Sequence, residues 1–233
     1  MYFFQDPQFG NRMITLMAAF VLVLQIAMVG QRWLVTNIRV FAAQSFLLAG
    51  IANTIAYFNH APHLYIAAFL TFTLKAVILP VVLERLVRRI DIGQEIAPLV
   101  NVPLSLLISG GLTTVGYVVA ASFHRPEEAT SAANVSVTNL GHNTLAVAVS
   151  LFLIGFYMMI TRRKAIMQVL ALLSLENGLF LAAISLTYGM PLIVELGIFF
   201  DLLVAVMVLG ILVYRIQETF DSMDVSKLSR LRG

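Results

Sequence analysis

Polar residues fall along this chain in short groups, and the stretches between them are apolar for most of their length. The apolar runs cover about residues 13–30, 38–58, 64–86, 99–122, 144–160, 165–188 and 192–214. A helix rises 1.5 Å per residue, so about 20 residues cross a hydrocarbon core of about 30 Å. Each run therefore predicts a transmembrane helix. The breaks carry turn and interface signals: Gln31-Arg32-Trp33, Asn59-His60-Ala61-Pro62-His63, a charged connection over 84–98, Arg162-Arg163-Lys164 and Tyr188-Gly189-Met190-Pro191. The pattern predicts an all-α, polytopic membrane protein with seven spans. Its first run lacks a basic flank before it and a small-residue cleavage site after it, which favours a retained helix over a signal peptide.

Composition agrees. Of 233 residues, 60% are hydrophobic and 12% charged, against about a quarter charged in a soluble domain. Mean hydropathy is +0.90. There is no cysteine, which removes disulfides and cysteine-ligated clusters within the chain. The four histidines, His60, His63, His124 and His142, fall in or beside polar loops without metal-ligand spacing. The net charge of +3 does not point to nucleic acid, because the basic residues follow membrane topology.

If the chain changes sides after every span, one side holds only Arg12 and Arg125. The other holds Arg32, Arg39, Arg85, Arg88, Arg89, Arg162, Arg163, Lys164, Arg215, Lys227, Arg230 and Arg232. Twelve against two places the N-terminus outside and the C-terminus in the cytoplasm by the positive-inside rule. The chain divides into an N-terminal four-helix membrane region (1–122), an outer polar loop (123–143), a three-helix module (144–214) and a cytoplasmic tail (215–233). Spans one to three share a rhythm with spans five to seven, as in a parallel repeat. The fourth span is rich in small residues, among them Ser105, Ser109, Gly110, Gly111 and Gly116. Such residues let helices approach closely in lipid, so it is expected to pack against protein on more than one side.

Charges inside the spans are the candidate chemistry. An ionisable group at bilayer depth costs about 2.5–3.5 kcal/mol even on the insertion scale. Glu176 and Asp201 both fall near mid-span, on helices joined by a short turn. Lys75 is mid-span in the third run, with Pro80 five residues later. Proline removes a backbone donor and clashes with the carbonyl four residues back, so a kink near Lys75 is expected to free carbonyls for its ammonium. Buried acids at one depth can hold and pass a proton. Each can equally be a fixed hydrogen-bonding group between helices. Glu195 lies nearer the outer interface, and Glu84 and Glu218 sit beside basic residues at helix ends, where water reaches them. Motifs for a nucleophile, a nucleotide loop or haem ligation do not accompany the charges, so the chain is not expected to be an enzyme on its own.

Thr161-Arg162-Arg163-Lys164 followed by Leu172-Leu173-Ser174-Leu175-Glu176-Asn177 resembles the second helix of the K (4L) subunit of respiratory complex I and of the related antiporter C subunits. With Leu186-Thr187-Tyr188-Gly189-Met190-Pro191 and Val194-Glu195-Leu196-Gly197-Ile198-Phe199-Phe200-Asp201, the chain is most similar to hydrogenase-4 component E. That resemblance implies a non-catalytic membrane-arm subunit of an energy-converting oxidoreductase complex in a bacterial or archaeal plasma membrane. Implied partners are antiporter-like membrane subunits, hydrogenase-like large and small subunits and iron–sulfur subunits. Nickel–iron and iron–sulfur centres would lie in those partners and no cofactor in this chain. Glu176 matches the family's first relay acid. Asp201, or alternatively Glu195, matches the second, and Lys75 is a further candidate in the relay of protons or sodium. The alternative is a purely structural scaffold of the same arm. An independent seven-helix transporter or receptor is a weaker reading, since paired broken helices are missing.

Overall fold

The apolar runs fold as helices. In the computed structural model, residues 7–58, 62–89, 100–122 and 132–187 are described. The helices are α1 (Pro7–Gly30), α2 (Leu34–Phe58), α3 (Pro62–Leu70), a π-helical segment (Thr71–Ile78), α4 (Leu79–Arg89), α5 (Val102–Ser122), α6 (Ala132–Thr161) and α7 (Ala165–Thr187). α3, the π segment and α4 run on as one span. Six spans among the described residues are long and apolar enough to cross a membrane. The expected seventh, over 192–214, and the tail lie outside them. α6 begins at Ala132, so residues 132–143 of the polar stretch expected as a loop are helical. A packed span supplies the costly helical nucleus, and extension through flanking residues is cheap.

Successive spans alternate in direction, which brings the basic turns together at one end of the bundle. There Arg39 on α2 meets Glu84 on α4, Nε to Oε1 at 3.0 Å, and Arg88 lies 3.9 Å from the same carboxylate. Arg162 is buried and donates from Nη2 to the Val29 carbonyl at the end of α1. A cation at a helix C-terminus satisfies an orphan carbonyl and complements the dipole.

Two large apolar clusters fill most of the interior, beside a small one of Ala120, Leu145 and Ala146. The one nearer the basic end joins Met28, Phe41, Leu83, Met158 and Leu170. The other joins Val21, Leu48, Leu64, Leu151 and Phe180. Along α1, α2, the third span and α7, the residues between the clusters are polar and buried: Gln25, Gln44, Ser45, Lys75, Ser174, Glu176 and Asn177. The core is thus two apolar blocks with a polar layer where they meet.

α7 enters this layer because it lies very close to α6. A Cβ on Gly178 would sit 2.7 Å from the Phe152 nitrogen and 2.9 Å from the Ala148 carbonyl oxygen, and one on Gly155 would sit 2.9 Å from the Leu175 backbone. Only a residue without a side chain fits such an approach. α5 differs. Its packed face carries Ser105, Ser109 and Gly116 against α6, but among the described residues nothing lies within 4 Å of the Cβ positions of Gly110 and Gly111. Only 22% of this span is buried, against 61% of α7, so among the described residues most of the fourth span is left uncovered.

Candidate functional site

Lys75 occupies the middle of the third span, inside the π segment. At that segment's end the Leu79 N–H bonds the Leu74 carbonyl, five residues back. Pro80 explains the wider turn: its ring has no N–H for the Ala76 carbonyl and would collide with it in a regular α turn. The expected disturbance is present, and side chains of α7 meet the ammonium. Lys75 Nζ lies 3.5 Å from Glu176 Oε1 and donates to Asn177 Oδ1 at 3.4 Å. The Phe180 ring centroid is 5.9 Å away. Lys75 and Glu176 are each 2% exposed, so this pair is shielded from water by the fold itself.

Asn177 extends the contact sideways. Its Nδ2 donates to Gln44 Oε1 and to Ser45 Oγ, both at 3.3 Å. Gln44 Nε2 donates to Gln25 Oε1 at 2.8 Å, and the Ser174 hydroxyl donates to the same oxygen. Gln25 Nε2 ends on the Met158 sulfur at 3.7 Å. The layer therefore ties together α1, α2, the π segment, α6 and α7 through named polar atoms. Burying a charge pair is tolerable only when such bonds replace lost water.

The pair can exchange charge as well as hold it. At 3.5 Å and an effective dielectric near 20, the attraction between unit charges is on the order of 5 kcal/mol. Protonating Glu176 removes that attraction and leaves an ammonium facing a neutral acid. Moving the proton from Lys75 to Glu176 converts two buried charges into two neutral groups.

Of the candidate residues, the structure brings together Lys75 and Glu176, which lie on spans far apart in sequence. Asp201 and Glu195 lie outside the described residues, as do His60 and His124. Among the described residues, no cluster of three metal-ligating side chains occurs. Glu84 sits at the basic end in its expected ion pairs. The sequence reading missed Gln25 and Ser174 as members of the layer, although a glutamine within an apolar run was the available signal. It also missed that Arg162 turns inward. Burial lowers the basicity of its guanidinium, with a smaller opposing contribution from Tyr157.

The site is therefore a buried lysine–glutamate pair inside a bundle of helices long and apolar enough to cross a membrane. Residues 143–233 match NADH-ubiquinone/plastoquinone oxidoreductase chain 4L, a region that contains Glu176 and excludes Lys75. The chain is 26% identical to hydrogenase-4 component E of Escherichia coli, over 83% of this chain and 85% of that protein. It is 34% identical to an uncharacterized protein of Mycobacterium tuberculosis, over 89% of this chain and 90% of that one. The chain is thus a homologue of hydrogenase-4 component E over most of its length, with a chain 4L-like C-terminal region. It is a membrane subunit of the complex I-like and hydrogenase-4 type. No solved structure matches it.

Proposed function

We propose that this chain is a non-catalytic subunit in the membrane arm of an energy-converting complex, and that Lys75 and Glu176 relay protons there. The observation that carries this reading is the Lys75–Glu176 pair, 3.5 Å apart and buried mid-span. A pair of this kind responds to charge arriving on either side, because each partner's protonation alters the field at the other. It has no redox chemistry of its own. The driving reaction belongs to partner subunits of the hydrogenase type, carrying nickel–iron and iron–sulfur centres. Antiporter-like subunits would continue the path through the membrane, for protons or sodium. Asp201 is the next acid proposed in this chain, with Glu195 its rival. The basic end faces the cytoplasm of a bacterial or archaeal cell, as the positive-inside rule requires, and the N-terminus lies outside.

Glu176→Gln tests the relay in the assembled complex, with redox turnover and proton translocation measured together. Turnover is expected to continue with translocation reduced at least tenfold. Normal coupling with a neutral amide at this position would rule the relay out.

A scaffold role is favoured by one observation, the face of α5 around Gly110 and Gly111 that the described residues leave open. In that reading the layer only holds helices together. Glu176→Gln would then leave coupling intact, and Glu176→Leu would prevent assembly of the complex.

A further inference from the structure

At the end of the bundle away from the basic turns, a cleft cuts the surface between α2 and the third span. Its mouth, about 380 Å³, lies between Phe9 and Met13 of α1, Asn53 and Tyr57 of α2, and Tyr65 of α3. Its deeper part, about 300 Å³, shares Asn53 and Tyr65 and continues between Phe46 and Phe69. Volumes of this size are those of ligand sites, about 300–1,000 Å³. Ala49, Gly50 and Ala68 leave room at the bottom, and aromatic rings form the walls. Phe46 and Phe72 close the deep end, their rings edge to face with centroids 6.0 Å apart. From Tyr57 to Phe46 is about 17 Å of helix, half of a core of about 30 Å. That is the depth of one leaflet. A partner helix needs a groove across the whole core, whereas an acyl chain ends near the midplane, where the phenylalanine pair stands.

We propose that this cleft binds one anionic phospholipid, with an acyl chain between the aromatic walls, an ester carbonyl at Asn53 and the phosphate at Arg12. α2 has 25 residues, about 38 Å, so it overhangs the core by about 4 Å at each end. Asn53, about 8 Å below its last residue, is therefore just inside the edge of the core, where the ester groups of a lipid begin. Its amide is exposed, and a polar group facing hydrocarbon is costly until something bonds it. An ester carbonyl accepts from Nδ2. Arg12 is exposed and directly precedes Met13 at the mouth. Among the described residues, no other Arg, Lys, Asp or Glu lies at that end. A guanidinium fork matches a phosphate in both charge and geometry. Neither Lys75 nor Glu176 takes part, so the lipid site and the relay stand or fall separately.

In the full chain, freed of lipid and purified in detergent, dioleoyl phosphatidylglycerol is expected to raise the unfolding midpoint saturably, as binding to the folded state requires. Dioleoyl phosphatidylcholine has the same chains but a choline cation that Arg12 repels, and should need about tenfold more for the same shift. Arg12→Gln is expected to erase that preference. Asn53→Phe fills the cleft and should abolish the response to both lipids, with the lipid-free midpoint at or above the native one. A second reading places the chain directly. Trp33 is the only tryptophan, so Phe69→Trp combined with Trp33→Phe puts a single reporter in the cleft. Phosphatidylglycerol with brominated chains should quench it, and unlabelled phosphatidylglycerol should restore emission at about a tenth of the phosphatidylcholine concentration. Equal potency of the two lipids in both readings would overturn the proposal. So would an undiminished response in Asn53→Phe, or the same midpoint shift from inorganic phosphate alone.

Discussion

Two ion pairs on the same span sit in opposite surroundings. Arg39 and Glu84 meet at 3.0 Å with side-chain exposures of 67% and 25%, whereas Lys75 and Glu176 meet at 3.5 Å with 3% and 2%. The shorter pair is the weaker one. Water and ions already solvate Arg39, so contact with Glu84 replaces interactions of nearly equal worth. Lys75 is out of reach of water, and its carboxylate partner offsets part of the cost of burying a charge there. Distance alone therefore says little about which pair matters. The buried pair is where a change in proton occupancy must be felt, because its surroundings cannot screen it.

The comparison breaks most sharply at Glu176. Glu176→Leu leaves Lys75 buried without its carboxylate, and breaking a buried pair costs about 3–5 kcal/mol. Thermal unfolding of the detergent-purified chain should show a large fall in midpoint. Adding Lys75→Met should recover most of that loss, since two apolar groups can replace a buried pair at little cost. A double variant no more stable than Glu176→Leu alone would mean that the pair is not the unit described.

Second in size is Gly178→Val. The added carbons would meet the Phe152 nitrogen and the Ala148 carbonyl oxygen, so α6 and α7 must part. Overpacking against side chains costs about 1–3 kcal/mol, and backbone on the receiving side puts this variant at the upper end of that range. Gly111→Val, on the open face of α5, should leave the unfolding midpoint of the isolated chain unchanged. Equal effects at the two glycines would remove the distinction between the packed and the open helix.

Arg162→Ala is expected to cost about 1–3 kcal/mol, the range for stranding a buried acceptor, here the Val29 carbonyl. Arg162→Lys should recover part of it, read by the same unfolding curve. Arg163, exposed in the same turn, provides the control, with little change on substitution by alanine.

The spans and the depth of their charges were legible in the sequence, because length and hydropathy report position along a helix axis. Lys75 and Glu176 could be placed mid-span for that reason. Their meeting could not be foreseen. α7 and α3 are apolar nearly all round, so no amphipathic stripe tells which side faces which neighbour. The α6–α7 approach that aims Glu176 inward depends on Gly155 and Gly178, whose role appears only once the facing backbone is known. Pro80 announced a disturbance near Lys75, but a kink and a π turn are alternative answers to the same missing N–H. Arg162 read as one of three topological charges, and its inward turn depends on the end of α1, far away in sequence.

The smallest expected effect is at Arg39. Arg39→Ala removes a contact between α2 and α4 that is well formed by distance. Exposed pairs nevertheless contribute about 0–1 kcal/mol, and less as salt rises. Unfolding midpoints of the native chain and Arg39→Ala should therefore differ slightly at low ionic strength and converge at about 1 M salt, where the screening length falls to about 3 Å. The gap between the native chain and Glu176→Leu should persist at the same salt, because ions do not enter the layer that holds it. A salt-insensitive loss at Arg39 as large as that at Glu176 would show that burial is not what separates the two pairs.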